Sequence, residues 1–270
     1  MCTLISGSAL GEGAVGYGSG FETSIEQHLP ALGQVYADYF TIGAAVEPEQ
    51  LNRPESELLK KHYNVIVAEN VMKPVNSQPM EGYYNWVGAD RIVKFAQENG
   101  MEVRYHTLVW HQQCSNWFFL DPDGKEMTQE TDLAKRAANK ELLLQRLEQH
   151  ITTIVERYKD QVKFWDVVNE VIDPAEPDGM RRSKWYQISG TAYIETAFHT
   201  ARRVGGPDIK LFINDYSTTD PMKRDLLYNF VKELLEKGVP VDGVGHQAHV
   251  DLEAPSVAAL SASIKLFAGL

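Results

Sequence analysis

Short runs of β-branched and aromatic residues alternate along this chain with segments of helical period. The runs are residues 40–45, 65–68, 102–109, 162–169, 210–214 and 242–247. The helical segments between and after them are residues 54–61, 88–99, 135–158, 193–204, 222–237 and 256–267. Residues 21–38 also read as helical, bent or broken at Pro30. Strands alternating with helices make βαβ units and a parallel sheet. The run 162–169 is the most informative. It is apolar and closes on a polar pair, Asn169-Glu170. That pattern predicts a buried strand whose last residues emerge at a rim.

Polar and aromatic residues recur after every predicted strand. Strand one is followed by Glu47-Pro48, and strand two ends in Glu69-Asn70. Strand three carries His106 and leads into Trp110-His111. Strand four ends in Asn169-Glu170, strand five in Asn214-Asp215-Tyr216, and strand six carries Gln247 and His249. A doubly wound sheet gathers such residues at one switch point, whereas a barrel gathers them at every strand end. The expected fold is therefore α/β, a TIM (β/α)8-type barrel, of which about six βα units are recognisable. Residues 1–20, rich in Gly, Ser and Ala, read as a flexible arm, and residues 21–270 as the barrel domain, incomplete at its C-terminal side.

Composition narrows the chemistry. The chain has 270 residues, 43% hydrophobic, enough for one large core. Its formal net charge of −11 argues against nucleic acid or an anionic membrane as partner and suits a neutral substrate. No apolar run is long enough to span a membrane. The two cysteines, Cys2 and Cys114, build no disulfide framework. Cys2 directly follows the start Met, which is either a residue of a loose tail or the lipid-bearing cysteine of a lipoprotein. A secreted or cell-surface location is the expectation. Neither a GxGxxG fingerprint nor a P-loop is present.

Glu170 is the first candidate for general acid, because a carboxyl partly desolvated at a strand end holds its proton more readily. The bland alternative is a strand-end salt bridge. The strand ends also supply amides and flat aromatics. These suit sugar hydroxyls and the apolar faces of pyranose rings. His246 and His249 point to opposite faces if both lie on a strand, which argues against a shared metal. Trp110 and Trp117 read equally well as barrel-end core.

Six segments occur in order: Gly43-Ala44-Ala45-Val46, Ala68-Glu69-Asn70-Val71-Met72-Lys73, His106-Thr107-Leu108-Val109-Trp110-His111, Trp165-Asp166-Val167-Val168-Asn169-Glu170, Ile213-Asn214-Asp215-Tyr216 and Gly243-Val244-Gly245-His246-Gln247-Ala248-His249. Together they resemble the motifs of the glycoside hydrolase family 10 endo-β-1,4-xylanases. The resemblance implies a retaining hydrolase of xylan and xylo-oligosaccharides that needs neither metal nor organic cofactor. It implies Glu170 as acid/base, with Asn169 on the 2-hydroxyl of the sugar being cleaved. His106 and Trp110 would line that subsite, and Glu69, Asn70 and Lys73 would hold the next sugar. Gln247 and His249 would orient the partner carboxylate, and Tyr216 would line the aglycone side.

The family's nucleophilic Glu closes a seventh strand in a motif resembling Thr-Glu-Leu-Asp, and no such motif is found in this chain. A C-terminal fragment or second chain completing the barrel is the expected partner. A catalytically deficient xylan-binding barrel and a related β-1,4-glucanase are the alternatives. Were eight strands to close within the chain, Glu195 and Glu253 would be the carboxylates to examine.

Overall fold

The computed structural model describes Glu26 and residues 28–270. The expected arm, Cys2 and most of the first part of the 21–38 helix lie outside the described residues. Six strands form the sheet: β1 (Gly43–Val46), β2 (Val65–Ala68), β3 (Glu102–Val109), β4 (Phe164–Asn169), β5 (Lys210–Asp215) and β6 (Gly243–His246). All pair in parallel, in sequence order, and the sheet curls into a half-barrel. Nine α-helices occupy the described residues: α1 (Leu32–Val35), α2 (Glu55–His62), α3 (Pro74–Ser77), α4 (Val87–Glu98), α5 (Leu133–Tyr158), α6 (Lys184–Ser189), α7 (Ala192–Gly205), α8 (Pro221–Glu236) and α9 (Val257–Phe267).

The strands follow their side chains. All four residues of β2 are buried, and β4 buries every residue from Trp165 to Asn169, as strands covered on both faces must. Trp165 stacks on Tyr105 of β3, ring centroids 4.9 Å apart. The long α5 starts where the Asp132 carboxylate accepts from the Lys135 N–H at 3.0 Å. It buries Leu143, Leu147, Ile151, Ile154 and Val155 on one stripe. Asp220 caps α8 in the same way, with Pro221 at the first turn.

The expected boundaries need four corrections. The described part of the 21–38 segment contains only the four-residue α1, just after Pro30. The first strand begins at Gly43, and Phe40 is exposed. The sixth strand ends at His246, so Gln247 and His249 sit beyond it. That removes the strand-face argument about His246 and His249. Short α3 and α6 were not expected, because one turn of helix carries no periodic signal.

Among the described residues, β1 and β6 each pair on one side only. Their burial is correspondingly partial. The outer helix α9 buries only Ser263 and Phe267, and Val257 and Ile264 face out.

One core group makes stability depend on pH. His150 of α5 is buried, its Nδ1 2.6 Å from Gln78 Oε1 and its Nε2 3.2 Å from the Leu108 carbonyl. Burial pulls its pKa down to about 4. The unfolded chain takes up this proton near pH 6.5, and the folded one only near 4. Stability is therefore full above about pH 6.5 and falls as pH drops toward 4, by up to about 3 kcal/mol from this group. Urea denaturation at pH 7, 5.5 and 4.5 measures the slope. His150→Gln is expected to remove one proton's worth of it, and an unchanged slope would count against the assignment.

Candidate active site

The βα loops gather at the carboxyl ends of the strands. Four non-glycine residues there adopt left-handed backbone: Gln113 after β3, Glu170 after β4, Ser217 after β5 and Ala248 after β6. Such conformations cluster where geometry serves a site. Between the loops lies a cavity of about 170 Å³. Eight of the ten expected site residues line it: Glu69, Lys73, His106, Trp110, Asn169, Glu170, Gln247 and His249.

Glu170 is held at both oxygens. The Trp110 indole N–H donates to Oε2 at 2.8 Å, and Gln247 Nε2 donates to Oε1 at 3.0 Å. Its side chain is 12% exposed, so the carboxyl is partly desolvated as expected. The same Gln247 Nε2 lies 3.1 Å from the side-chain amide of Asn169, which also lies 2.9 Å from Asn214 Nδ2. His249 Nε2 lies 2.8 Å from Gln247 Oε1. Gln247 and His249 were expected to orient a partner carboxylate. In the structure, Gln247 grips Glu170 itself, with His249 behind it.

Lys73 Nζ sits 5.3 Å from the Trp110 ring centroid and donates to Asn70 Oδ1 at 3.0 Å. Burial lowers its pKa, and the carboxylates of Glu69, Glu47 and Glu170 oppose that shift. Asn70 is not among the residues that line the cavity, and its Nδ2 donates to Glu47 Oε1 at 2.6 Å. Its amide thus bridges Lys73 and Glu47. Tyr216 is also set back. Its hydroxyl accepts from Arg181 Nη2 at 2.8 Å, and Lys223 Nζ lies 3.1 Å from its ring centroid.

Sequence reasoning passed over three polar groups. The first is the pair behind His106. Asp166 Oδ2 lies 2.9 Å from His106 Nδ1, and the Arg104 guanidinium grips both Asp166 oxygens, with Nε at 3.0 and 3.2 Å. Burial alone would push the Asp166 carboxyl up, but Arg104 and His106 hold it down to about 2. The signal was in the sequence for one of them: Asp166 is a charge set between Trp165 and Val167 in an apolar run. The second is Asp215, 2.7 Å from Lys223 Nζ, with both side chains buried. Burial raises the Asp215 pKa, opposed by Lys223. The third is Arg181, whose loop carried no motif.

The other two candidate carboxylates lie away from the cavity. Glu195 on α7 pairs with Lys237 at 3.2 Å, and Glu253 is exposed in the loop after β6. Of the histidines, His246 bonds Thr218 through Nδ1 at 2.7 Å, and His249 bonds Gln247. No three His, Cys, Asp or Glu side chains form a metal-holding group among the described residues.

The fold and the site define a (β/α)-barrel protein whose polar groups converge at the carboxyl ends of its strands around one hydrogen-bonded glutamate. The chain belongs to glycosyl hydrolase family 10, whose sequence profile matches residues 31–270. It is 59% identical over 249 residues to a thermostable celloxylanase of Thermoclostridium stercorarium, covering 92% of this chain and 64% of that protein. It is 58% identical over 242 residues to endo-1,4-beta-xylanase A of Halalkalibacterium halodurans, covering 90% and 61% respectively. The crystal structure of xylanase B from Clostridium stercorarium F9 superposes with a TM-score of 0.88 at 60% identity, over 89% of this chain and 71% of that one. The chain thus spans less than two thirds of the length of the two curated relatives.

Proposed function

We propose that this chain forms the larger part of an endo-acting, retaining β-1,4-xylanase, with Glu170 as its acid/base. The observation that carries this is the pair of N–H donors on Glu170, from Trp110 and Gln247, which orient a partly buried carboxyl at the cavity. Asn169 lies beside it to meet the 2-hydroxyl, a contact that strengthens as oxocarbenium character develops. His106, Trp110, Lys73 and Glu69 surround the sugar on the non-reducing side, and Asn70 supports Lys73. Tyr216 borders the aglycone side.

A retaining mechanism needs a second carboxylate about 5–5.5 Å from the first. Besides Glu170, the cavity is lined by Glu69 and Asp166, and Asp166 is committed to Arg104 and His106. The nucleophile is therefore assigned to further βα units that pair with the open edges of β1 and β6, from more of the same chain or from a second chain. Without them, the second reading applies: a barrel that binds xylan and does not turn it over. The free edges and the outward apolar residues of α9 favour that reading for residues 1–270 by themselves. A secreted or cell-surface setting goes with a polymeric substrate.

The test is a xylan-hydrolysis assay with an intact mass on the same sample. At 30.4 kDa the expected result is binding without turnover, and addition of the missing βα units should restore turnover. Turnover at that mass would place a second carboxylate within the chain. Absence of both binding and turnover, with the units present, would overturn the proposal.

A further inference from the structure

Glu170 is the first residue beyond β4, and its φ is +60°. A non-glycine residue in the left-handed region costs about 1–3 kcal/mol and persists only where its surroundings hold it. Its N–H donates to the Asn214 carbonyl at 2.8 Å, which continues the β4–β5 ladder. Its own carbonyl leaves the ladder and accepts from Arg181 Nε at 2.7 Å.

Arg181 grips the same turn at several other points. Nη2 donates to the Ile172 carbonyl at 3.1 Å and to the Tyr216 hydroxyl at 2.8 Å. Nη1 lies 3.4 Å from Asp173 Oδ2. The Arg181 N–H donates to the Val171 carbonyl at 2.8 Å. Asp215 completes the frame: its Oδ2 accepts from the Ile172 N–H at 3.2 Å, while Lys223 neutralises its other oxygen. Residues 170–173 are thus each tied to one guanidinium or to its own backbone. Arg181 does not line the cavity.

We infer that Arg181 is a positioning residue, whose guanidinium locks the left-handed turn at Glu170 and so aims that carboxyl at Trp110 and the cavity. The planar fork matters, because its donors reach several acceptors at fixed angles. An ammonium at the end of a lysine reaches one or two. The catalytic meaning of this clamp rests on Glu170 being the acid/base proposed above. The geometry it controls can be read without turnover.

The reporter is the Trp110 indole N–H, which is bonded to Glu170 Oε2. Hydrogen exchange of indole N–H groups, followed by NMR, compares it with the Trp165 indole, which donates to the Val162 carbonyl at 3.0 Å inside the barrel. In Arg181→Met, Trp110 exchange is expected to rise tenfold or more, with Trp165 unchanged within twofold. Trp110 exchange within twofold of the parent overturns the inference. If the Met variant also loses protection at Trp165, Arg181→Lys decides by the same two thresholds. If the Lys variant unprotects Trp165 as well, the inference is overturned, because Arg181 then supports the whole sheet and not this turn. A clamp confirmed by exchange, in a protein that still fails to hydrolyse xylan after the missing βα units are added, would refute the acid/base reading and leave the positioning result standing.

Discussion

Glu170→Gln is expected to lower xylan turnover by about 10²–10⁴-fold while leaving binding of xylo-oligosaccharides largely intact. The amide keeps the shape of the carboxyl but has no proton to give the leaving oxygen and cannot then activate water. Of the two N–H groups that hold Glu170, from Trp110 and Gln247, one can still donate to the amide oxygen, while the other faces the amide NH2. Substrates that leave without protonation, such as activated aryl glycosides, should lose much less in the first step. The comparison is made in the form of the protein that hydrolyses xylan, with kcat on both substrate types and binding by calorimetry. Equal turnover in parent and variant would remove Glu170 from the mechanism. Loss of binding with proportionate loss of rate would make it a binding residue.

Arg104→Met is expected to destabilise the fold by about 3–5 kcal/mol, because it leaves Asp166 buried without its guanidinium. Arg104 is 4% exposed and Asp166 2%. The double variant Arg104→Met, Asp166→Leu should be markedly more stable than the single one, since it leaves no orphaned charge. Denaturant unfolding of the two variants measures both. The pair also predicts an acid limb. Asp166 titrates at about 2 in the folded chain against 3.8 in the unfolded one. Its contribution of about 2 kcal/mol is present above pH 3.8 and is lost as pH falls toward 2. Loss of the acid limb in Arg104→Met would tie it to this pair. A second consequence is local: His106 loses the rigid partner that sets its ring orientation.

Strand existence was legible because buried parallel strands are short, apolar and β-branched, as in Val65-Ile66-Val67-Ala68 and Trp165-Asp166-Val167-Val168. Helices of three turns or more were legible from their apolar stripe, and α5 most clearly. The boundaries of β1 and β6 were not, because edge strands bury less and carry a weaker pattern. The cavity wall was legible where the functional residue sits at a strand end, as with Glu69, Trp110 and Glu170. Asn70 and Tyr216 belong to the same segments. Only the packing shows that one turns to Lys73 and Glu47, and the other to Arg181 and Lys223.

The order of apolar and polar residues therefore determined the parallel α/β architecture, the strand ends as the seat of chemistry, and Glu170 as the candidate acid. Those features are local, written in periods of two and 3.6 and in the polar residues just past each strand. Tertiary structure alone decided who holds Glu170. Trp110, Gln247 and Arg181 lie 60, 77 and 11 residues from it. Contacts across such separations depend on how the strands register and how the loops return. No local pattern in the chain encodes either one.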